Sequence, residues 1–258
     1  MKKTSSLCAL IVLVLSACAS VDEHQSNPKI DDKVAAQANT QLGIAYLRDG
    51  NYEMARLKLE KALELEPDSV EAHEATAILF EQVGEDALAE KHYKRTLKLK
   101  PDYPRGRNNY GQFLCTRGRY KEAEEEFLLA ANNPFYPIPS MPLTNAGLCA
   151  KRIPDMVKAE GFFRQALEKD PNFAPALLQM GLIRYSQGKY MSVRGYMQRF
   201  EEVAAHNPES LWLAIRTEYE LGDHQAWGNY AVLLGNNFPD SDEARILQEW
   251  ENERRSRR

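Results

Sequence analysis

Residues 37–102 read QANTQLGIAYLRDGNYEMARLKLEKALELEPDSVEAHEATAILFEQVGEDALAEKHYKRTLKLKPD, and one pattern occurs in them twice. Leu42, Gly43 and Tyr46 are followed by Ala55, Leu59, Ala62 and Pro67. Thirty-four positions on, Thr76, Ala77 and Phe80 are followed by Ala89, Tyr93, Thr96 and Pro101. Ala55, Leu59 and Ala62 are spaced for one face of a helix over Tyr52–Leu65, after a first helix carrying Leu42, Ile44, Ala45 and Leu47. Asp49-Gly50-Asn51 makes the turn between them, because glycine and asparagine tolerate left-handed backbone. Pro67 stands where the second helix must stop. Gly43 and Ala62 are small where two helix axes cross, and a large side chain there would overpack the crossing at roughly 1–3 kcal/mol.

A period near 34 residues, with small residues at the crossing and a closing proline, resembles the tetratricopeptide repeat (TPR). The expected fold is all-α, a right-handed α-solenoid of about six such repeats over residues 35–250. Their expected spans are 36–69, 70–103, 104–133, 140–173, 174–207 and 208–241. Repeat three carries Asn108, Asn109, Tyr110, Gly111, Leu114, Gly118, Ala123, Phe127 and Ala130. Asn133-Pro134-Phe135-Tyr136-Pro137-Ile138-Pro139 then has too many prolines to be helical throughout, and is expected to be an extended insertion. It is either a partner contact or a rigid spacer whose aromatics are buried. Repeat four carries Ala146, Gly147, Ala159, Phe163, Ala166 and Pro171. Repeats five and six drift, with Val193 and Trp227 at the usual alanine sites, as suits the capped end of a solenoid. A last helix is expected over Asp242–Trp250, and residues 251–258 as a solvated basic tail.

The N-terminus reads as a processing segment. Lys2 and Lys3 precede an apolar run from Leu7 to Leu15, which is too short to span a bilayer and reads as a secretory signal over residues 1–17. Leu15-Ser16-Ala17-Cys18 resembles a bacterial lipobox, which implies cleavage before Cys18 and acylation of that residue. The alternative is an ordinary signal that happens to carry a cysteine. Acyl chains contribute roughly 0.8 kcal/mol per buried CH₂, so several of them anchor a protein stably. Ala19 is not the aspartate that retains Gram-negative lipoproteins in the inner membrane, so the implied address is the periplasmic face of the outer membrane. Residues 18–34 are polar and are expected to be a tether.

Composition narrows the function. Hydrophobic residues at 43% and charged residues at 27% describe an ordinary globular chain. A net charge of −4, with both signs interspersed, offers no field for nucleic acid. The five histidines are scattered without metal-ligand spacing. There is no phosphate loop or nucleophile elbow, so no enzyme, metal, cofactor or small-molecule substrate is expected. The acidic run Glu122–Glu126 sits where a solvated outer face is expected.

Binding to a protein is what remains. In a TPR stack the first helices line the concave face, and the repeat frame selects Thr40, Ile44, Leu47 and Arg48, then Glu74, Ile78 and Glu81, then Asn108 and Gln112. Apolar side chains among amides suit an extended or helical peptide. The competing reading puts Ile44 or Ile78 in the core between repeats. Cys115 and Cys149 occupy nearly equivalent places in adjacent repeats. In an oxidising compartment they are expected to pair; otherwise they are two buried thiols.

The lipobox, the six units and the run Asn108-Asn109-Tyr110-Gly111-Gln112-Phe113-Leu114-Cys115 together resemble the PilF/PilW family of type IV pilus biogenesis lipoproteins. The similarity extends through the 133–139 insertion and Gly147-Leu148-Cys149-Ala150, about half the chain. It implies a pilotin, which brings the pilus secretin to the outer membrane, promotes its assembly as a multimer, or stabilises the fibre machinery. A second expectation is a periplasmic scaffold for cell-wall hydrolases or for outer-membrane protein assembly.

Overall fold

The computed structural model describes residues 31–153 and 155–256. The signal, Cys18 and most of the tether lie outside the described residues, as do Arg257 and Arg258. Among the described residues there are thirteen helices and no strand. They form six antiparallel pairs and a last single helix. The pairs are α1 (Asp32–Arg48) with α2 (Tyr52–Leu65), α3 (Val70–Gln82) with α4 (Asp86–Leu99), and α5 (Pro104–Thr116) with α6 (Tyr120–Ala131). Then come α7 (Ser140–Arg152) with α8 (Met156–Lys169), α9 (Ala174–Ser186) with α10 (Tyr190–Val203), and α11 (Pro208–Glu220) with α12 (His224–Asn237). The single helix is α13 (Asp242–Ser256). Each pair touches its neighbours along the chain, and the first helices of successive pairs also meet, α3 and α5 through the hydrogen bonds of Glu74 with Arg105 and Asn109. That is the nearest-neighbour packing of an α-solenoid.

Two expected boundaries move. Residues 32–34, assigned to the tether, already belong to α1, because the Asp31 carboxylate caps the Lys33 N–H. At the other end α13 continues through residue 256, since neither glycine nor proline follows Trp250 to stop it.

The turn inside five of the six pairs uses the same backbone conformation. Gly50, Gly84, Gly118, Gly188 and Gly222 all have φ between 70° and 78°, where a Cβ is unfavourable. Repeat four has Arg152-Ile153-Pro154-Asp155 instead, and Asp155 caps α8 by accepting from the Lys158 N–H.

The sequence pattern becomes packing. Ala55, Leu59 and Ala62 are fully buried, as are Ala89, Ala123, Phe127, Ala159, Phe163 and Val193. A main apolar cluster runs from Ala77 to Ile183 through repeats two to five, and smaller clusters close both ends. Ion pairs stitch repeats together, Arg117 with Asp86, Arg119 with Glu90, Lys158 with Glu124 and Arg184 with Glu160, while Arg107 with Glu126 ties α5 to α6 within repeat three. Part of the acidic run Glu122–Glu126 is therefore paired rather than merely solvated.

One contact makes stability depend on pH. The His73 and His92 Nδ1 atoms are 2.9 Å apart, and His73 Nε2 lies 3.0 Å from the Pro67 carbonyl oxygen. Burial first, then the charge of His73 and Lys91, lowers His92 to about 4; burial also lowers His73, which lies near Arg95, Lys91 and Asp68. Both folded pKa values lie below the ordinary 6.5, so the unfolded chain takes up protons first as pH falls. Stability from this pair is complete above 6.5 and is lost as pH drops from there towards 4. The melting temperature should fall over that window, and fall less in His92→Gln. Equal slopes for the two proteins would remove the pair as the cause.

Candidate partner-binding groove

The residues selected by the repeat frame do lie along the first helices, but the structure divides them. Thr40 is buried, its hydroxyl donates to the Ala36 carbonyl, and it lines a cleft of about 590 Å³. The cleft is formed by Lys33, Gln37 and Gln41 of α1 with Glu66 and Asp68 of the α2–α3 connection and Glu71 of α3. Ile44 and Leu47 are partly buried against Ala55, Leu59, Ala75 and Leu79. Ile78 packs partly against the main cluster. All three therefore serve the core and keep only an edge towards the groove. Arg48 is exposed at the end of α1.

Glu74 is only 4% exposed. Its carboxylate accepts from the Tyr103 hydroxyl at 2.7 Å, from Arg105 Nε at 3.2 Å and Nη2, and from Asn109 Nδ2 at 2.9 Å. Both oxygens are thus engaged between repeats two and three, and burial with the adjacent carboxylate pushes the Tyr103 hydroxyl well above its ordinary range. Glu81 accepts from the Tyr93 hydroxyl at 2.8 Å, and burial raises its pKa. Asn108 is buried and accepts from Asn145 Nδ2 at 2.9 Å, which extends the polar chain into repeat four. Gln112 is exposed beside Asn145, Leu148 and Arg152 at a small cleft of about 160 Å³. Cys115 and Cys149 line the same cleft, with their sulfurs 2.08 Å and their Cα atoms 5.9 Å apart. The early groove thus has an open polar mouth at α1 and α3, and a wall whose polar groups largely satisfy one another.

The 133–139 insertion is not a spacer with both aromatics buried. Asn133 organises a tight turn, accepting from the Phe135 N–H through its side chain and from the Tyr136 N–H through its carbonyl. Tyr136 is half-buried, whereas Phe135 is 89% exposed.

The first-helix positions continue beyond the three repeats considered from sequence. The series Ile44, Ile78, Gln112 extends at the same frame position to Leu148, Leu182, Arg216 and Trp250. In the late repeats this face is aromatic. Arg216 Cζ lies 4.5 Å from the Tyr185 ring centre and 5.3 Å from that of Trp212. Trp250 stands edge-on to Trp212 and Tyr219 at 6.1 and 4.6 Å. Carrying the same frame through the degenerate repeats five and six would have found these residues.

Three comparisons bear on this architecture. A tetratricopeptide repeat family model matches residues 40–104 and 87–137. The type IV pilus assembly protein PilF of Pseudomonas aeruginosa is 32% identical over 247 residues, covering 95% of this chain and 97% of PilF. An uncharacterised protein of Haemophilus influenzae is 31% identical over 156 residues, covering 60% of this chain and 83% of its own length. Among solved structures, Pseudomonas aeruginosa PilF aligns with a TM-score of 0.71 over 84% of this chain and 98% of the other. PilW, a widely conserved type IV pilus biogenesis factor, aligns with a TM-score of 0.69 at 28% identity, over 83% and 98% of the two chains. The helix pairs, the repeat period and this near full-length similarity place the chain in the PilF/PilW family of tetratricopeptide-repeat proteins of type IV pilus biogenesis.

Proposed function

We propose that the protein is a pilotin: a lipoprotein, acylated at Cys18, whose early repeats capture a segment of the type IV pilus secretin. The anchor then directs the pair to the periplasmic face of the outer membrane, where the secretin multimerises. The observation that carries this reading is kinship with a pilus assembly protein over 95% of the chain. The cleft between α1 and α3 supports it, since it opens at the end of the solenoid nearest the tether and mixes amides, acids and a lysine. No helix among the described residues is long and apolar enough to cross a membrane, so the acyl chains are the anchor in this proposal. Cys115 and Cys149 are proposed to be disulfide-bonded in the mature protein, as an oxidising compartment favours.

The decisive variant is Cys18→Ala. It should still co-purify with the secretin while secretin multimers disappear from the outer-membrane fraction. Normal outer-membrane multimers in its presence would refute the tether. Failure of the wild-type protein to recover secretin would refute capture, and recovery of cell-wall hydrolases or barrel-assembly subunits instead would favour a scaffold.

A further inference from the structure

We infer that Tyr185, Trp212, Arg216, Tyr219 and Trp250 form a second docking site, which takes an internal peptide segment carrying one Asp or Glu side chain between apolar residues. The starting point is the charge of Arg216. Arg105, Arg107, Arg117, Arg119, Arg184 and Arg194 each reach a carboxylate of another helix or repeat. Arg216 has no carboxylate within ion-pairing distance among the described residues; its Nε makes a 3.4 Å bond to the Trp212 carbonyl of its own helix. The guanidinium is half-buried between two rings, and burial lowers its pKa from the usual range. A planar cation held over two aromatic rings can still offer its two Nη groups to a carboxylate.

The surroundings define the rest of the ligand. Tyr185, Trp212, Tyr219 and Trp250 are each only partly buried, and Trp, Tyr and Arg are the side chains that dominate binding energy at protein interfaces. The row does not end at Arg216: half-buried Leu182 lies one repeat before it and Trp250 one repeat after. A chain crossing Arg216 therefore meets apolar positions on both sides, which fits an internal segment rather than a terminal carboxylate. Glu209 and Glu220 flank Arg216 on α11 and are exposed, so a polyacidic segment would be repelled. One acid among apolar residues is the match. This site is separate from the α1–α3 cleft and does not depend on the secretin being the client there.

All three tryptophans of the chain, Trp212, Trp227 and Trp250, pack in this corner, so their emission reports on it directly. The test selects a phage-displayed random library of peptides, each about twelve residues long, on the full-length protein in detergent. Enriched peptides are then synthesised with blocked ends, each with a Glu→Gln or Asp→Asn twin. The expected result is one acid flanked by apolar residues, a change in tryptophan emission, and amide twins that bind about ten- to a hundred-fold more weakly. Arg216→Gln should abolish the preference for the acid while melting like the wild type. If that variant misfolds, the acid and amide twins on the wild-type protein still decide. The proposal is overturned by absence of enrichment, by enriched peptides without an acid, by twins of equal affinity, or by binding that requires a free C-terminal carboxylate. None of these readings uses the secretin, so they stand apart from the Cys18→Ala experiment.

Discussion

Replacing Cys115 and Cys149 together by alanine lowers the melting temperature by roughly 6–16 °C, the largest change expected of any substitution that leaves the outer surface intact. The two cysteines are separated by 34 positions, and cross-linking so long a segment restricts the unfolded chain by about 3–4 kcal/mol. Each kcal/mol moves the midpoint of a chain this long by about 2–4 °C. Both residues are buried in the main cluster, between α5 and α7. In a solenoid the loss stays local, because each repeat is stabilised chiefly by its neighbours. Hydrogen exchange should therefore show protection falling first in α5 to α8, while α1 to α4 and α9 to α12 change little. Unfolding and refolding the wild-type protein in reductant should reproduce the shift without altering a side chain. The premise is checked first: alkylation of unreduced protein labels neither cysteine, and two labelled cysteines would remove the bond and the prediction with it.

The fold was legible because a repeat states its rule several times. The 34-residue interval, the turn glycines and the paired small residues are local signals, and none needs the partner helix to be known. Repeat four shows the limit of this, since it replaces the turn glycine with Arg152-Ile153-Pro154-Asp155 and still closes its pair. The groove was less legible for a different reason. The repeat frame says which helix face a residue occupies, not whether a neighbouring repeat covers it. Glu74 meets the frame's requirement for an inner position, yet Tyr103, Arg105 and Asn109 use up its oxygens. Ile44 and Ile78 likewise sit where the inner face and the packing face adjoin. Phe135 is 89% exposed while Tyr136 is half-buried, so only one of the two aromatics fits a spacer with buried rings, and aromatic character alone does not tell them apart. The late aromatic face escaped because repeats five and six lack the consensus residues that draw attention to a unit, although their spacing is unchanged.

Gly147→Val should destabilise the protein at or above the upper end of the roughly 1–3 kcal/mol range for overpacking, whereas Gly161→Ala in the same repeat should stabilise it slightly. A Cβ built on Gly147 of α7 would lie 2.5 Å from Phe163 Cε1 and 2.8 Å from Cδ1 and Cζ. Phe163 of α8 is fully buried in the main cluster, beside Ala146, Cys149 and Ala159, so its ring has no free volume to turn into. The same close approach recurs at Gly43 against Leu59 and Gly111 against Phe127, so it is how the first and second helices of these repeats meet. Gly161, in contrast, has nothing within 4 Å of an added Cβ. A methyl there only reduces the freedom of the unfolded chain and raises helix propensity, by up to about 1 kcal/mol. Thermal melts of the two variants should therefore move in opposite directions. Helix α9 of repeat five packs against both α8 and α7, so a changed α7–α8 spacing is passed on to the next repeat. A Gly147→Val protein that melted with the wild type would mean that Phe163 yields, and that this spacing does not depend on a missing side chain.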